Sequence, residues 1–564
     1  MESVGSHGHP SSSGSKLTFF TVLFGTVERS MGPSFEASLY VFLSEGIMTQ
    51  PQAVVIGAGF GGLSAAIRLA TSGWGVTVFE AGPGPGGKAG YVDLDGVRVD
   101  TGPSVLTMPD VFDDLFTSAG ARREDHLEWV EAAPSFRYVW SDGAELVCHP
   151  RLEDTLAGIR ESLGVKAARE FQQFMEYAGR IWNAAAPHFV YGPSVSWSRV
   201  LTMGPSKWKD LLQIDGLRSM ESAVHRRVSS PHLRDVLLRY ATYNGSDPRK
   251  APATINCIAH VEMAMGGFGV KGGIYRLVEA LESLAKRQGV RFQYGARVRK
   301  VEVSRGIVTG VSVDDQMVAC DAVVANVEAA ALYGPLLGRP LKRSNTLSTS
   351  LWTGVYRAKK APSSSSSAAH TVFFPSDYRQ EFTSLFDRGQ VTAKPSVYIC
   401  DPCRAHGVGS WAESQPMFTM VNTTPIREDR LPMMRADWSR VRQHTESVLR
   451  EHDVIEGVDS LLWERTAEGL AERFPGSFGA LYGEASTNWR SAFKRPGTRV
   501  TGIKGLALAS GSGHPGGGMP LATLSGALAA QELNQRFNEG RGQSLTMTKM
   551  ISTDDHSIDQ RKVS

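Results

Sequence analysis

Cysteine, charge of one sign and long apolar runs are all scarce in this sequence, and each shortage closes off a class of function. Five cysteines, at 148, 257, 320, 400 and 403, are too few and too scattered over 564 residues for a disulfide framework, so the composition predicts a reducing, cytoplasmic setting. Cys400 and Cys403 stand in C-x-x-C spacing, but no second pair completes a four-ligand zinc site. A redox pair usually opens a helix, whereas Cys400 follows the strand-like run Val397–Ile399. The spacing is therefore read as chance, and no metal site is expected. A net charge of +3 with no basic run gives nucleic acid no footprint. No stretch reaches the roughly 18–20 apolar residues that span a bilayer. Leu17–Val27 is short, follows Lys16, ends at Glu28 and lacks a small-residue cleavage site, so it makes a poor signal peptide. Glu2, Glu28, Glu36 and Glu45 argue against a transit peptide. Residues 1–50 are expected to form a disordered extension, with Met48 a plausible alternative start. No Ser/His/Asp array and no carboxylates at informative spacing are present, so the catalytic groups are few.

What is present begins at Ala53. The apolar run Ala53–Ile56 reads as a buried parallel strand. Gly57, Gly59 and Gly62 follow in G-x-G-x-x-G spacing, with Gly61 between. Gly57 allows the tight turn, Gly59 leaves the backbone bare for a pyrophosphate, and Gly62 lets the next helix pack close. That helix, Leu63 to Ser72, carries Leu63, Ala66, Ile67 and Ala70 at helical spacing and stops at Gly73. A second strand, Val76–Phe79, ends in Glu80, 23 residues after Gly57, where a carboxylate can accept ribose hydroxyls. Strand, turn, helix, strand and acid in this order predict dinucleotide binding. Near the other end, Leu506–Ala509, the turn Ser510 to Pro520 and the helix Leu521–Leu533 form a second unit of the same kind.

Between them the pattern changes character twice. Tyr91–Val99 alternates like a hairpin, 105–120 reads as a helix, and Leu127–Cys148 alternates as strands. From about 151 to 262 the pattern is helical, with aromatics clustered over Ile181–Trp208. These aromatics suit a helical core, or a greasy mouth for an apolar substrate at a membrane surface. Lys271-Gly272-Gly273 opens a helix from Ile274 to Gln288; strands follow at Val290–Tyr294, Val298–Val303, Ile307–Val313, Met317–Cys320 and Asp321–Asn326. Pro362 to Ala369 is serine-rich and loop-like, between the strands Leu351–Tyr356 and Thr371–Phe374; Ser396–Cys400 is another strand.

Gly86-Gly87-Lys88 and Asp100-Thr101-Gly102, coming just after the ribose acid, resemble the two-dinucleotide-binding flavoproteins of the amine oxidase and phytoene desaturase superfamily. The resemblance implies FAD rather than a nicotinamide cofactor. It also implies an α/β fold: a discontinuous Rossmann-like FAD domain (51–150, 266–340 and 496–537), an α+β substrate domain (151–265 and 341–495), and a disordered tail (538–564). With His514-Pro515-Gly516-Gly517-Gly518-Met519-Pro520, the chain from about 52 to 535 resembles the bacterial phytoene desaturase family of carotenoid desaturases. Residues 239–262, 473–483 and 514–526 look closest to its 1-hydroxycarotenoid 3,4-desaturases of the methoxyneurosporene dehydrogenase type. Gly513 stands where the family more often has threonine, and Ser512 where it has glycine.

The resemblance implies that Gly57, Gly59, Gly61, Gly62, Glu80, Gly86, Gly87, Lys88, Gly517, Gly518 and Met519 hold FAD and that Val298 packs beside its adenine. The helix opening at Met519 would stabilise the charge that reduced flavin gathers. The implied reaction is dehydrogenation of a C–C bond next to a polyene, at C-3,4 of a 1-hydroxy- or 1-methoxycarotenoid. A hydride leaves to flavin N5, because the cation formed is spread over many carbons, and a proton follows to a weak base or water. His514 is the titratable residue placed nearest the flavin; it serves as catalytic group or fixes the turn. The implied partners are a lipophilic polyene, a membrane surface met peripherally, and quinone or oxygen as electron acceptor. Alternatives on the same scaffold are a phytoene desaturase, a carotene isomerase, a flavin amine oxidase, and a non-catalytic lipid escort resembling the Rab-binding dissociation inhibitors.

Overall fold

The computed structural model describes residues 50–194, 213–339, 346–360, 367–427, 431–457, 460–488, 491 and 495–554. Residues 1–49 of the expected extension, part of the aromatic cluster, most of the serine-rich stretch and residues 555–564 lie outside the described residues.

Five short strands make a parallel sheet in the order Leu506–Leu508, Ala322–Ala325, Gln52–Ile56, Gly75–Glu80 and Arg291–Tyr294. The central strands are covered on both faces, with Val55, Val78, Val324 and Ala507 fully buried, whereas the edge strand Arg291–Tyr294 is partly exposed. Helices Phe60–Thr71, Tyr275–Arg287 and the terminal helix Met519–Asp554 share one core with this sheet. The opposite face packs on an antiparallel meander, Val298–Ser304, Ile307–Val313 and Gln316–Ala319. A β-carbon on Gly526 would lie 2.2 Å from the Gly61 carbonyl oxygen, so the first and last helices touch through backbone.

A second, seven-stranded sheet runs in the order Leu461–Arg465, Ser350–Lys359, Ser414–Thr423, Val397–Cys400, His370–Phe374, Phe136–Trp140 and Glu145–Cys148. All its neighbours are antiparallel except His370–Phe374 with Phe136–Trp140. The hairpin 136–148, which a boundary at 150 leaves with the dinucleotide half, is thus the edge of this sheet. Helices Leu152–Leu163, Val165–Ala185, Met220–Arg227, Pro231–Arg239 and Cys257–Met263 share its core through Ile159, Phe171, Phe174, Val224, Leu237 and Ala259.

Three elements depart from the sequence pattern. The helix expected over 105–120 is confined to Asp110–Ser118, because Leu106 pairs with Phe268 as a strand bridge. The terminal helix, expected over 521–533 with a polar tail from 538, continues to Asp554. Cys403 lies in the first turn of a short helix, Pro402–His406, capped by the Asp401 carboxylate, so the cysteine pair does sit at a strand-to-helix junction. Burial raises the Cys403 thiol to about 11 and holds Cys400 well above its ordinary value, so neither is poised as a thiolate. Among the described residues, no helix is long and apolar enough to cross a membrane.

Candidate active site

A cavity of 1640 Å³ is lined on one side by the carboxyl ends of the parallel strands and on the other by the seven-stranded sheet. Crevices at the carboxyl ends of parallel strands are where such sheets take ligands. A single small-ligand pocket holds about 300–1,000 Å³, so this volume accommodates a dinucleotide and a second molecule.

The first glycine turn fixes the cofactor wall. Gly57 takes a positive φ of 94°, and a β-carbon there would lie 2.5 Å from the Asn326 carbonyl oxygen. A β-carbon on Gly62 would lie 2.1 Å from the Gly57 carbonyl oxygen, which explains the close helix packing. The Glu80 carboxylate accepts the Ala58 N–H at 2.8 Å and the Gly82 N–H at 2.7 Å. It is therefore held at the rim of the turn, with lone pairs left over for ribose hydroxyls.

The second glycine pair docks onto the first turn. Gly86 donates its N–H to the Ala58 carbonyl at 2.8 Å, and a β-carbon on Gly87 would lie 3.2 Å from Gly59 Cα. Two side-chain-free turns thus face one another, leaving a bare backbone cradle of the kind a pyrophosphate fills, and the residues fit FAD. Lys88 lines the cavity, but its amine is engaged: it pairs with Glu328 at 2.7 Å and donates to the Leu481 carbonyl at 2.6 Å. Gly61 also lines the cavity, and Val298 does so at the start of the meander, where it is 7% exposed. The Asp100 carboxylate accepts the Ile274 and Tyr275 N–H groups at the start of the next helix, and burial lifts it to about 6.

The third wall is the C-terminal turn. Gly517, Gly518 and Met519 line the cavity, and a β-carbon on Gly517 would strike the Tyr482 ring, 2.2 Å from Cδ1. The Ser512 hydroxyl accepts the Ala329 N–H at 2.9 Å and lies 2.9 Å from the Ser510 hydroxyl, so the serine is built into the turn. A β-carbon on Gly513 would meet Leu508 Cδ2 at 3.1 Å, a tight site for a larger side chain. His514 is 6% exposed, and its Nε2 stands 2.8 Å from the Gly192 carbonyl oxygen. A carbonyl only accepts, so Nε2 carries the hydrogen.

Sequence reasoning missed Asn326, Glu328, Tyr482 and Arg495, all lining the cavity. Asn326 directly follows the strand Ala322–Ala325, and a polar residue at a parallel strand's end was a usable signal for it. Arg495 donates to the Tyr482 and Gly511 carbonyls at 3.3 and 3.0 Å, and its burial lowers its affinity for the proton. No local pattern announces that role.

The remaining wall belongs to the other sheet. Thr353, Met420, Tyr398 and Val372 stand in one row across it, with Leu351 and Asn422 in the next. Trp182, Phe189, Val190 and Val261 add apolar surface.

Residues 60–367 match the family model described as flavin containing amine oxidoreductase. The chain is 34% identical to a hydroxyneurosporene desaturase of Rubrivivax gelatinosus over 85% of its own length and 92% of the relative's. It is 33% identical to the hydroxyneurosporene desaturase of Rhodobacter capsulatus, over 86% and 98%. A 4,4'-diapolycopene oxygenase of Methylomonas is 31% identical over 85% and 97%. A putrescine oxidase structure superposes with a TM-score of 0.55 at 15% identity, over 86% of this chain and 99% of that one, which is likeness of fold alone. The cradle and these similarities together establish that the chain belongs to the flavin containing amine oxidoreductase family, in its carotenoid desaturase branch, and is an FAD-dependent oxidoreductase.

Proposed function

We propose that this enzyme removes two hydrogens from the C-3,4 bond of a 1-hydroxy- or 1-methoxycarotenoid. The similarity to relatives named hydroxyneurosporene desaturase, at 33–34% over 85–86% of the chain, carries this reading. A long cavity wall of Leu351, Met420, Val372, Trp182 and Phe189 supports it, because a polyene offers little but apolar surface.

Bound FAD supplies the two-electron acceptor. The chain's share is position and exclusion of water. The turns around Gly57, Gly59, Gly61 and Gly62 and around Gly86 and Gly87 would cradle the pyrophosphate, and Glu80 the ribose. Val298 would close over the adenine. Gly517, Gly518 and Met519 would present the start of the terminal helix to the flavin. Lys88 would act through its pairing with Glu328 and Leu481, which joins three segments of the cofactor wall. His514 donates from Nε2 to the Gly192 carbonyl, so in this arrangement it anchors the glycine turn rather than accepting a proton there. The proton lost beside the delocalised cation can pass to a weak base or to water.

Access to a lipid-borne polyene calls for peripheral membrane contact, and reoxidation for quinone or oxygen. Flotation with liposomes tests the first; protein left at the bottom of the gradient counts against it. The reaction is tested anaerobically with FAD-loaded enzyme and liposomes carrying 1-hydroxyneurosporene or phytoene. Flavin bleaching with a red shift of the hydroxylated polyene is the expected result. Bleaching with phytoene alone would move the assignment to a phytoene desaturase.

A further inference from the structure

The cavity face of the seven-stranded sheet carries more polar groups than an all-hydrocarbon ligand would need. Asn422 and Met420 are two residues apart on one strand and so face the same way, and Tyr398 pairs with Met420 from the neighbouring strand. All three line the cavity, as does Ser104 in the loop below. The Tyr398 hydroxyl lies 2.6 Å from Ser104 Oγ and 2.9 Å from His370 Nδ1. His370 is buried, which pushes its pKa down to about 3 and keeps the ring neutral. A neutral imidazole can donate or accept at Nδ1 according to tautomer. The chain His370–Tyr398–Ser104 can therefore present either a donor or an acceptor at its cavity end. Asn422 donates one amide hydrogen to Glu381 at 3.2 Å; Glu381 is fully buried and also accepts the Ser396 N–H at 2.7 Å. That buried carboxyl fixes the amide's orientation.

These groups adjoin the cofactor wall. A β-carbon on Gly102, two residues before Ser104, would lie 2.5 Å from the Lys88 carbonyl oxygen. Leu351, the pairing partner of Asn422, is two residues from Thr349, whose carbonyl accepts the Leu481 N–H.

We propose that Asn422 and the Ser104–Tyr398 pair form the site that recognises the oxygen on the carotenoid's end group and thereby sets which bond lies against the flavin. The proposal rests on the function given above. An oxygen on C-1 is three bonds from C-3, whereas the rest of a polyene can slide without losing contacts. One anchored oxygen therefore fixes the register. A site built to hydrogen-bond a hydroxyl also rejects the analogue lacking it.

The test compares kcat/KM for 1-hydroxyneurosporene and for neurosporene in liposomes, in the FAD-loaded wild type and in the Ser104→Ala and Asn422→Leu variants. Loss of one hydrogen bond should lower the hydroxylated-to-unhydroxylated ratio about tenfold in each variant, and should scatter the position of the new double bond. Ser104→Ala removes only a hydroxyl and guards against misfolding of the second variant. A ratio unchanged from wild type, or equal losses on both polyenes, overturns the proposal and leaves the desaturase reading standing. A wild type that bleaches with neither polyene overturns both.

Discussion

Asn326 Oδ1 accepts the Gly59 amide hydrogen at 3.0 Å, and the Asn326 amide nitrogen donates to the Ala509 carbonyl. One side chain thus ties the first glycine turn to the C-terminal strand, across the strand Ala322–Ala325 that it follows. Asn326→Ala would leave two part-buried backbone groups without their partner, a loss of about 1–3 kcal/mol. The expected outcome is a lower denaturant midpoint and weaker FAD retention on gel filtration. Unchanged values for both would show that the turn holds itself.

Glu80 is held by two backbone N–H groups and points its remaining lone pairs at the cavity rim. Glu80→Ala should weaken FAD binding by about 1.5–3 kcal/mol, the range for hydrogen bonds to a charged group. Titration of the apoprotein with FAD, followed by flavin fluorescence, checks this.

Gly517 touches the Tyr482 ring so closely that any β-carbon must displace it. Gly517→Ala should cost about 1–3 kcal/mol by overpacking. Because the two positions are in contact, Gly517→Ala combined with Tyr482→Ala should lose less than the sum of the single losses. Additive losses in urea unfolding would contradict the contact.

His514 distinguishes an anchor from a base. Glutamine can donate to the Gly192 carbonyl as the imidazole does. His514→Gln should therefore keep kcat within about tenfold of wild type, whereas loss of a general base costs roughly 10²–10⁴. A larger fall, with loss of a titration step in the pH–rate profile, would return the histidine to catalysis.

His406 is buried, accepts the Val270 N–H at Nδ1, and has its pKa pushed down by burial from 6.5 to about 4. The unfolded chain therefore takes up a proton before the folded one does. Stability contributed by the neutral ring is complete above pH 6.5 and declines as pH falls towards 4, by about 1.4 kcal/mol per unit at most. Asp100 and Asp235, both raised to about 6 by burial, oppose this trend between pH 6 and 4. His406→Gln isolates the histidine: the variant's stability deficit at pH 7 should shrink as pH falls to 4. A deficit constant with pH would mean that the ring titrates normally.

The elements whose physics is local can be read from the chain. Ala53–Glu80 reads directly, because a strand period, a bare turn and a helix period follow one another within thirty residues. The meander reads equally well, with Ile307–Val313 found over the same residues, since alternation shows on each strand. The glycine turn before Met519 also announces itself, and with it the family. Ser414–Thr423 was not legible, because the strand lies within a sheet and carries Pro416, whereas the helix Leu431–Glu451 had a usable signal in Met434, Trp438, Val441 and Leu449, which recur at helical spacing and are buried.

The remaining relationships depend on contacts between segments far apart in the chain. Phe136–Trp140 becomes a parallel neighbour of His370–Phe374, and no pattern in either strand names the other. Lys88, which the resemblance counts among the residues that hold FAD, pairs with Glu328, 240 residues away. Asn326 meets Gly59 across 267 residues. Periodicity records only which face of an element is buried; which side chain lies across from it depends on how the layers stack. The glycine turns could therefore be named from the chain, while the groups that brace them, and the polar groups on the opposite wall, came into view only once the two sheets closed on one cavity.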